Sequence, residues 1–213
     1  MRTFTEADQA YPGADKTLDV VVDIFNQVNS GGTKLSKGDL RAEPGHFTGW
    51  GLGARFYPVL YLLARIGEAR DWGTGIPLKD SLLERSKMSR LKVHHIFPKA
   101  AVKRYFKRPE VNALANFCFT KETHLVPTDR LPEDYFPYIE KRDPGALASQ
   151  WIPTDPALWK MENFREFLEA RKVLLAAELN RRMEDLLHGD TRWLSSPTVA
   201  VPVIAAARGG ITS

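Results

Sequence analysis

The chain has 213 residues, with 30 Lys or Arg against 26 Asp or Glu and a formal net charge of +4, so it can bury a real core and is not compositionally disordered. Cys118 is the only cysteine, which excludes an intramolecular disulfide and a cysteine-based zinc cluster and points to a reduced, cytoplasmic setting. The first residues lack the apolar core of a signal peptide, and the longest apolar stretch, over 57–64, is too short to span a bilayer.

Residues 1–16 are polar, include Pro12-Gly13 and read as a lead-in loop. Residues 17–29 read as a helix, because Leu18, Val21, Val22, Phe25 and Val28 fall on one stripe. Asp15 or Thr17 can cap its start, and Asn29-Ser30-Gly31-Gly32 ends it. A short helix is expected over 36–40, and 43–53, rich in Gly, Pro and aromatics, reads as a loop. A largely buried helix comes next over 54–67, built from Phe56, Val59, Leu60, Leu62 and Leu63, with Pro58 in its first turn. Residues 70–77 read as a turn and 78–86 as a short helix. The stretch 91–97 is β-like and stopped by Pro98, 100–106 is a short helix or basic loop, and 112–120 holds a second apolar run. A helix or turn begins over 121–124, and Pro127, Pro132 and Pro137 are expected to break up the segment after it. The clearest helix covers 161–187, with Phe164, Leu168, Leu175, Leu179, Met183 and Leu186 on its apolar face and Gly189 at its end. The tail from Ser195 has little to bury and is expected to be mobile.

From Arg85 to Arg108 there are nine Lys or Arg and no Asp or Glu. Such a run is either a solvated face or the footprint of a polyanion. Within it lies Val93-His94-His95-Ile96-Phe97-Pro98. Adjacent histidines on a strand point to opposite faces, but at the strand's end both can approach one metal. One imidazole then binds the cation and the other takes a proton from water, a task that suits a group titrating near neutrality. A His-His pair alone reads as two ordinary histidines. Asn116, 21 positions after His95, and His124, 8 positions later, change that reading. Histidine on a first strand, asparagine near a second and histidine on a following helix form the HNH pattern.

The stretches His94-His95-Ile96-Phe97-Pro98-Lys99-Ala100, Leu114-Ala115-Asn116-Phe117 and Thr120-Lys121-Glu122-Thr123-His124 resemble the HNH domain of GmrSD-type restriction endonucleases and related phage-defence proteins. Residues 24–36 resemble the helical region that comes after the ParB-like nucleotide-dependent domain of those proteins. Residues 159–175, with Phe164, Phe167, Leu168 and Arg171, resemble the helix after their nuclease core, so the similarity runs from about 18 to about 187. The resemblance implies His95 as general base, Asn116 as the residue that orients the base loop, and His94 and His124 as metal ligands. The family often has asparagine where this chain has His124, and imidazole moves the preference toward Mn2+, Ni2+ or Zn2+. Mg2+ is still the first expectation for the single divalent ion. Lys99, Lys103, Arg104, Lys107 and Arg108 are candidates to hold flanking phosphates, contacts that position a strand without reading its sequence.

The fold expected is α+β and mostly helical: a ββα-metal motif flanked by N-terminal and C-terminal helices. Residues 1–85 are the helical remnant, 86–150 the nuclease core, 151–188 a C-terminal helix packed on it, and 189–213 a tail. The function implied is metal-dependent hydrolysis of nucleic-acid phosphodiesters, DNA before RNA. No G-x-x-x-x-G-K-[ST] loop is present, and the ParB-like domain is expected on a separate subunit, lost, or upstream of a late start. The alternative is a non-catalytic nucleic-acid-binding or scaffold module that keeps the fold. A closed structural zinc site lacks ligands, and a zinc peptidase lacks H-E-x-x-H. His46 and His188 read as surface or cap residues, the tryptophans as packing anchors with base stacking as a lesser role, and Cys118 as core.

Overall fold

The computed structural model describes residues 41–51, 54–78, 91–121 and 127–190. The helices expected over 17–29 and 36–40, all of the one over 78–86 but its first residue, His124, and the tail from Ser195 lie outside the described residues. Helices dominate the described segments, together with a two-stranded antiparallel sheet, an α+β arrangement.

The stretch read as a loop over 43–53 contains a 3-10 helix, Pro44–Thr48. Pro44 presets the helical φ at its start, and His46 closes the turn: its N–H donates to the Glu43 carbonyl at 2.9 Å while its Nδ1 accepts from the Glu43 N–H at 3.1 Å. Helix α1, Tyr57–Ile66, carries Pro58 in its first turn as expected. Val59, Leu60, Leu63 and Ala64 form its buried stripe, and Phe56 packs just before it. Leu62, expected inside, is 41% exposed because it falls outside that stripe.

Strand β1, Lys92–His95, pairs with β2, Phe117–Thr120, in the register Lys92↔Thr120, Val93↔Phe119, His94↔Cys118, His95↔Phe117. Between them run α2, Lys99–Val102, α3, Arg108–Val111, and a 3-10 turn, Leu114–Asn116. No third strand covers the far edge of β2 among the described residues, and buried side chains take that place. Gln150 accepts from Phe119 N at 3.0 Å and donates to Phe119 O at 2.8 Å. Arg171 donates to Ala115 O and Phe117 O at 2.8 and 2.6 Å. The open edge that would invite another chain is thereby sealed.

The prolines after 127 do not prevent a helix. Helix α4, Pro132–Arg142, starts on Pro132, which suits the first turn, and contains Pro137. Pro137 lies on the exposed side, so the carbonyl it leaves without a helical donor faces water, while Tyr135, Phe136 and Ile139 hold the other side in the core. A short helix α5, Ala146–Ser149, and two 3-10 turns, Pro156–Trp159 and Met161–Asn163, lead to α6, Phe164–Leu187. All six residues read onto the apolar face of α6 are buried. Gly189, at φ 75°, turns the chain out of the helix as expected.

Two apolar clusters result. One gathers α1, Phe117 and Phe119. The other gathers Ile96, Phe97, Cys118, Tyr135, Phe136 and Trp159. Helix α6 supplies Leu175, Ala176, Leu179 and Met183 to the first and Phe164, Phe167 and Leu168 to the second. Among the described residues no helix is long and apolar enough to cross a membrane.

Candidate active site

The strand alternation separates the two histidines. His94 shares its face with Cys118 and stands edge-on to Tyr135, with centroids 6.4 Å apart. It is buried, and its Nε2 has no hydrogen-bond partner among the described residues. Burial, and secondarily the nearby His95, pushes its pKa down to about 4, so it is neutral at physiological pH. A neutral imidazole nitrogen without a partner is one donor of the several that a divalent cation requires, so His94 is compatible with the metal role implied for it. Among the described residues no group of three or more His, Cys, Asp or Glu converges on one point. The other implied ligand, His124, lies outside them.

His95 leaves the opposite face, half-buried against Phe117, with ring centroids 4.9 Å apart. Its Nε2 lies 3.2 Å from Asn112 Oδ1. Asn112 Nδ2 already donates to the Arg108 carbonyl at 2.9 Å, which turns Oδ1 toward the histidine. An acceptor at Nε2 places the proton there and leaves the lone pair on Nδ1. Burial lowers the His95 pKa, the Asn112 hydrogen bond raises it, and the Lys99 charge lowers it, with a net fall below 6.5. The ring is therefore neutral near pH 7 and ready to accept a proton.

Asn116 fixes the chain as it leaves β1. Its Oδ1 accepts from Phe97 N at 2.8 Å, and its Nδ2 donates to Phe97 O at 3.1 Å and Val111 O at 2.9 Å. Ile96 N donates to the Asn116 carbonyl at 2.9 Å, and Tyr135 Oη donates to Ile96 O at 2.8 Å. Every backbone polar group of residues 96 and 97 is thus paired, and the Phe97 ring sits 4.9 and 5.0 Å from those of Phe164 and Phe167. The bend after His95 is rigid in consequence. Replacing Asn116 with alanine orphans three buried backbone groups and is expected to destabilise the protein by about 2–4 kcal/mol in urea unfolding. A loss under about 1 kcal/mol would contradict the clamp.

Lys99, Lys103, Arg104, Lys107 and Arg108 are all exposed, on and around α2 and α3. Glu110, the acidic residue beside them, is occupied by Arg165 at 2.6 Å and by Lys107 N at 2.8 Å, so it subtracts little from their field. The arrangement sets a proton acceptor beside a clamped bend and a basic surface, while His94 stands on the other face of β1, so the two histidines do not converge on one point as expected of a pair at the strand's end.

Sequence reasoning gave no role to Asn112, Gln150 or Arg171. Arg171 had a visible signal, a charge in register with an apolar stripe, whereas Asn112 ends a short helix and reads as an ordinary cap. The tryptophan expectation holds for Trp72 and Trp159, which are buried, and for Trp151, which packs against the cluster around α1, but not for Trp50, which is 48% exposed; Trp193 lies outside the described residues. His46 and His188 bond their own turns, as expected of cap residues. No protein-family model, curated protein or solved structure is significantly similar to the chain.

Proposed function

We propose that the chain is a metal-dependent HNH-type endonuclease that hydrolyses phosphodiester bonds of nucleic acid, with DNA as the first substrate to try. The observation that carries this reading is the pairing of His94-His95 on β1 with the Asn116 clamp on the bend after it. His95 Nδ1 accepts a proton from water as the water oxygen bonds to phosphorus and the P–O3′ bond breaks. Asn112 keeps the proton-bearing nitrogen turned away, and Asn116 keeps the ring aimed. Lys99, Lys103, Arg104, Lys107 and Arg108 hold the flanking phosphates. His94, together with His124, would hold one divalent ion, Mg2+ before Mn2+, Ni2+ or Zn2+. Such an ion supplies positive charge to the phosphate oxygens when bound. A restriction or phage-defence role, and a ParB-like nucleotide-dependent partner, rest on the family resemblance of the motif residues.

Supercoiled plasmid tests the reading. Conversion to nicked or linear forms is expected with Mg2+ or Mn2+ and not with EDTA. A folded protein that cuts neither plain nor glucosylated or methylated DNA, nor RNA, with any of the four metals would leave only the binding-module alternative.

A further inference from the structure

Trp50 is anomalous. A residue with so much apolar surface is normally buried, yet it stays 48% exposed in a segment that is firmly held. Gly51 N donates to Asn112 O and Leu114 N donates to Gly49 O, both at 2.9 Å, so Trp50 faces Ala113 in an antiparallel bridge. The Arg108 guanidinium lies over its ring, 5.3 Å from the centroid. The same Arg108 uses its carbonyl to hold Asn112 Nδ2, and Asn112 Oδ1 meets His95 Nε2. Four residues thus form one continuous chain of contacts, Trp50–Arg108–Asn112–His95.

That chain fixes a flat aromatic surface relative to the proton acceptor. An antiparallel pair of this kind has its Cα atoms about 4.5 Å apart, and Asn112 is the residue next to Ala113. Trp50 and His95 are therefore both held to the one short segment Asn112-Ala113, Trp50 through the bridge and His95 through the Asn112 side chain. On the stretch just before Arg108, Lys103, Arg104 and Lys107 are exposed and in no ion pair among the described residues, and Tyr105 between them is 67% exposed. Aromatic rings interleaved with free cations suit a polyanion whose bases have open π-faces, which is a nucleic-acid strand that is unpaired locally.

We propose that Trp50, backed by Arg108, is a stacking step for an unpaired nucleobase beside the scissile phosphate. It gives the enzyme a preference for single-stranded or opened substrate. This rests on the nuclease reading and adds to it a substrate class and a residue.

The test is fluorescence anisotropy of labelled single-stranded and blunt duplex oligonucleotides in EDTA, over a range of salt. Trp50→Leu keeps apolar bulk and removes the π-face. It is expected to weaken single-strand binding at least about fivefold, with the salt slope and the unfolding midpoint unchanged. Trp50→Phe should stay within about threefold of wild type, and Lys103→Ala should instead lower the salt slope. A second measurement needs only the wild type: 2-aminopurine in the bound strand should be quenched by stacking. Wild-type affinity in Trp50→Leu, or unquenched 2-aminopurine in a bound strand, would overturn the stacking step while leaving the nuclease reading intact. A wild type that binds no polynucleotide would overturn both.

Discussion

Arg171→Leu is expected to destabilise the protein by about 3–5 kcal/mol, read as a lower urea midpoint at unchanged slope. Arg171 is essentially sealed from solvent in the middle of α6. Its Nη1 donates to Ala115 O and Phe117 O, and its Nη2 to Gln150 O at 3.1 Å. Burial pushes its guanidinium down to about 10, so it is still charged at neutral pH. Leucine would fit the surrounding apolar stripe and gain about 2 kcal/mol of burial. It would also orphan three buried carbonyls at about 1–3 kcal/mol each, and the loss exceeds the gain. Ala115 O and Phe117 O belong to the segment that carries Asn116 and to the far edge of β2, so cleavage should fall as well. Val173→Ala, on the exposed side of the same helix, should change stability by no more than about 0.5 kcal/mol. If both variants behaved alike, the buried guanidinium would not be what holds the strand.

His95→Ala should lower plasmid cleavage by about 10²–10⁴-fold with the fold intact, since the half-buried ring anchors no backbone group among the described residues. The pH profile of the wild type should identify the base. The neutral ring is the active form, and its pKa lies below 6.5. Activity is therefore retained as pH falls through 6.5 and is lost only further into acid. Asn112→Ala frees the proton to sit on either nitrogen, so the rate should drop several-fold, far less than on loss of His95. An unchanged rate in folded His95→Ala would remove this residue from the chemistry.

The parts of the molecule visible in the sequence are those set by local pattern. The stripe from Phe164 to Leu186 repeats often enough to declare a helix and its buried side. The two short runs around His94 and Phe117 become paired strands because each is stopped by a distinct signal, Pro98 on one side and the turn at Leu114–Asn116 on the other. The site was legible to the extent that its chemistry sits in consecutive letters. His94-His95 is an unusual pair, and an asparagine inside an apolar run requires a reason. The hidden part depends on contacts between distant segments. Asn112 and His95 meet only because α3 returns to β1, and Arg171 reaches Ala115 across 56 positions. Pro137 misled because its effect depends on which side of the helix meets water.

Helix α6 has 24 residues, about 36 Å of rod. Its first turns belong to one apolar cluster and its later turns to the other, with Arg171 at the changeover. Neither cluster can come apart without stripping one end of the rod, and a marginal helix does not survive half bare in water. The two halves therefore lose structure together, as a single cooperative unit. The bend after His95 packs through Phe97 on Phe164 and Phe167 in the first turns of the rod, so its geometry is lost only with the whole unit.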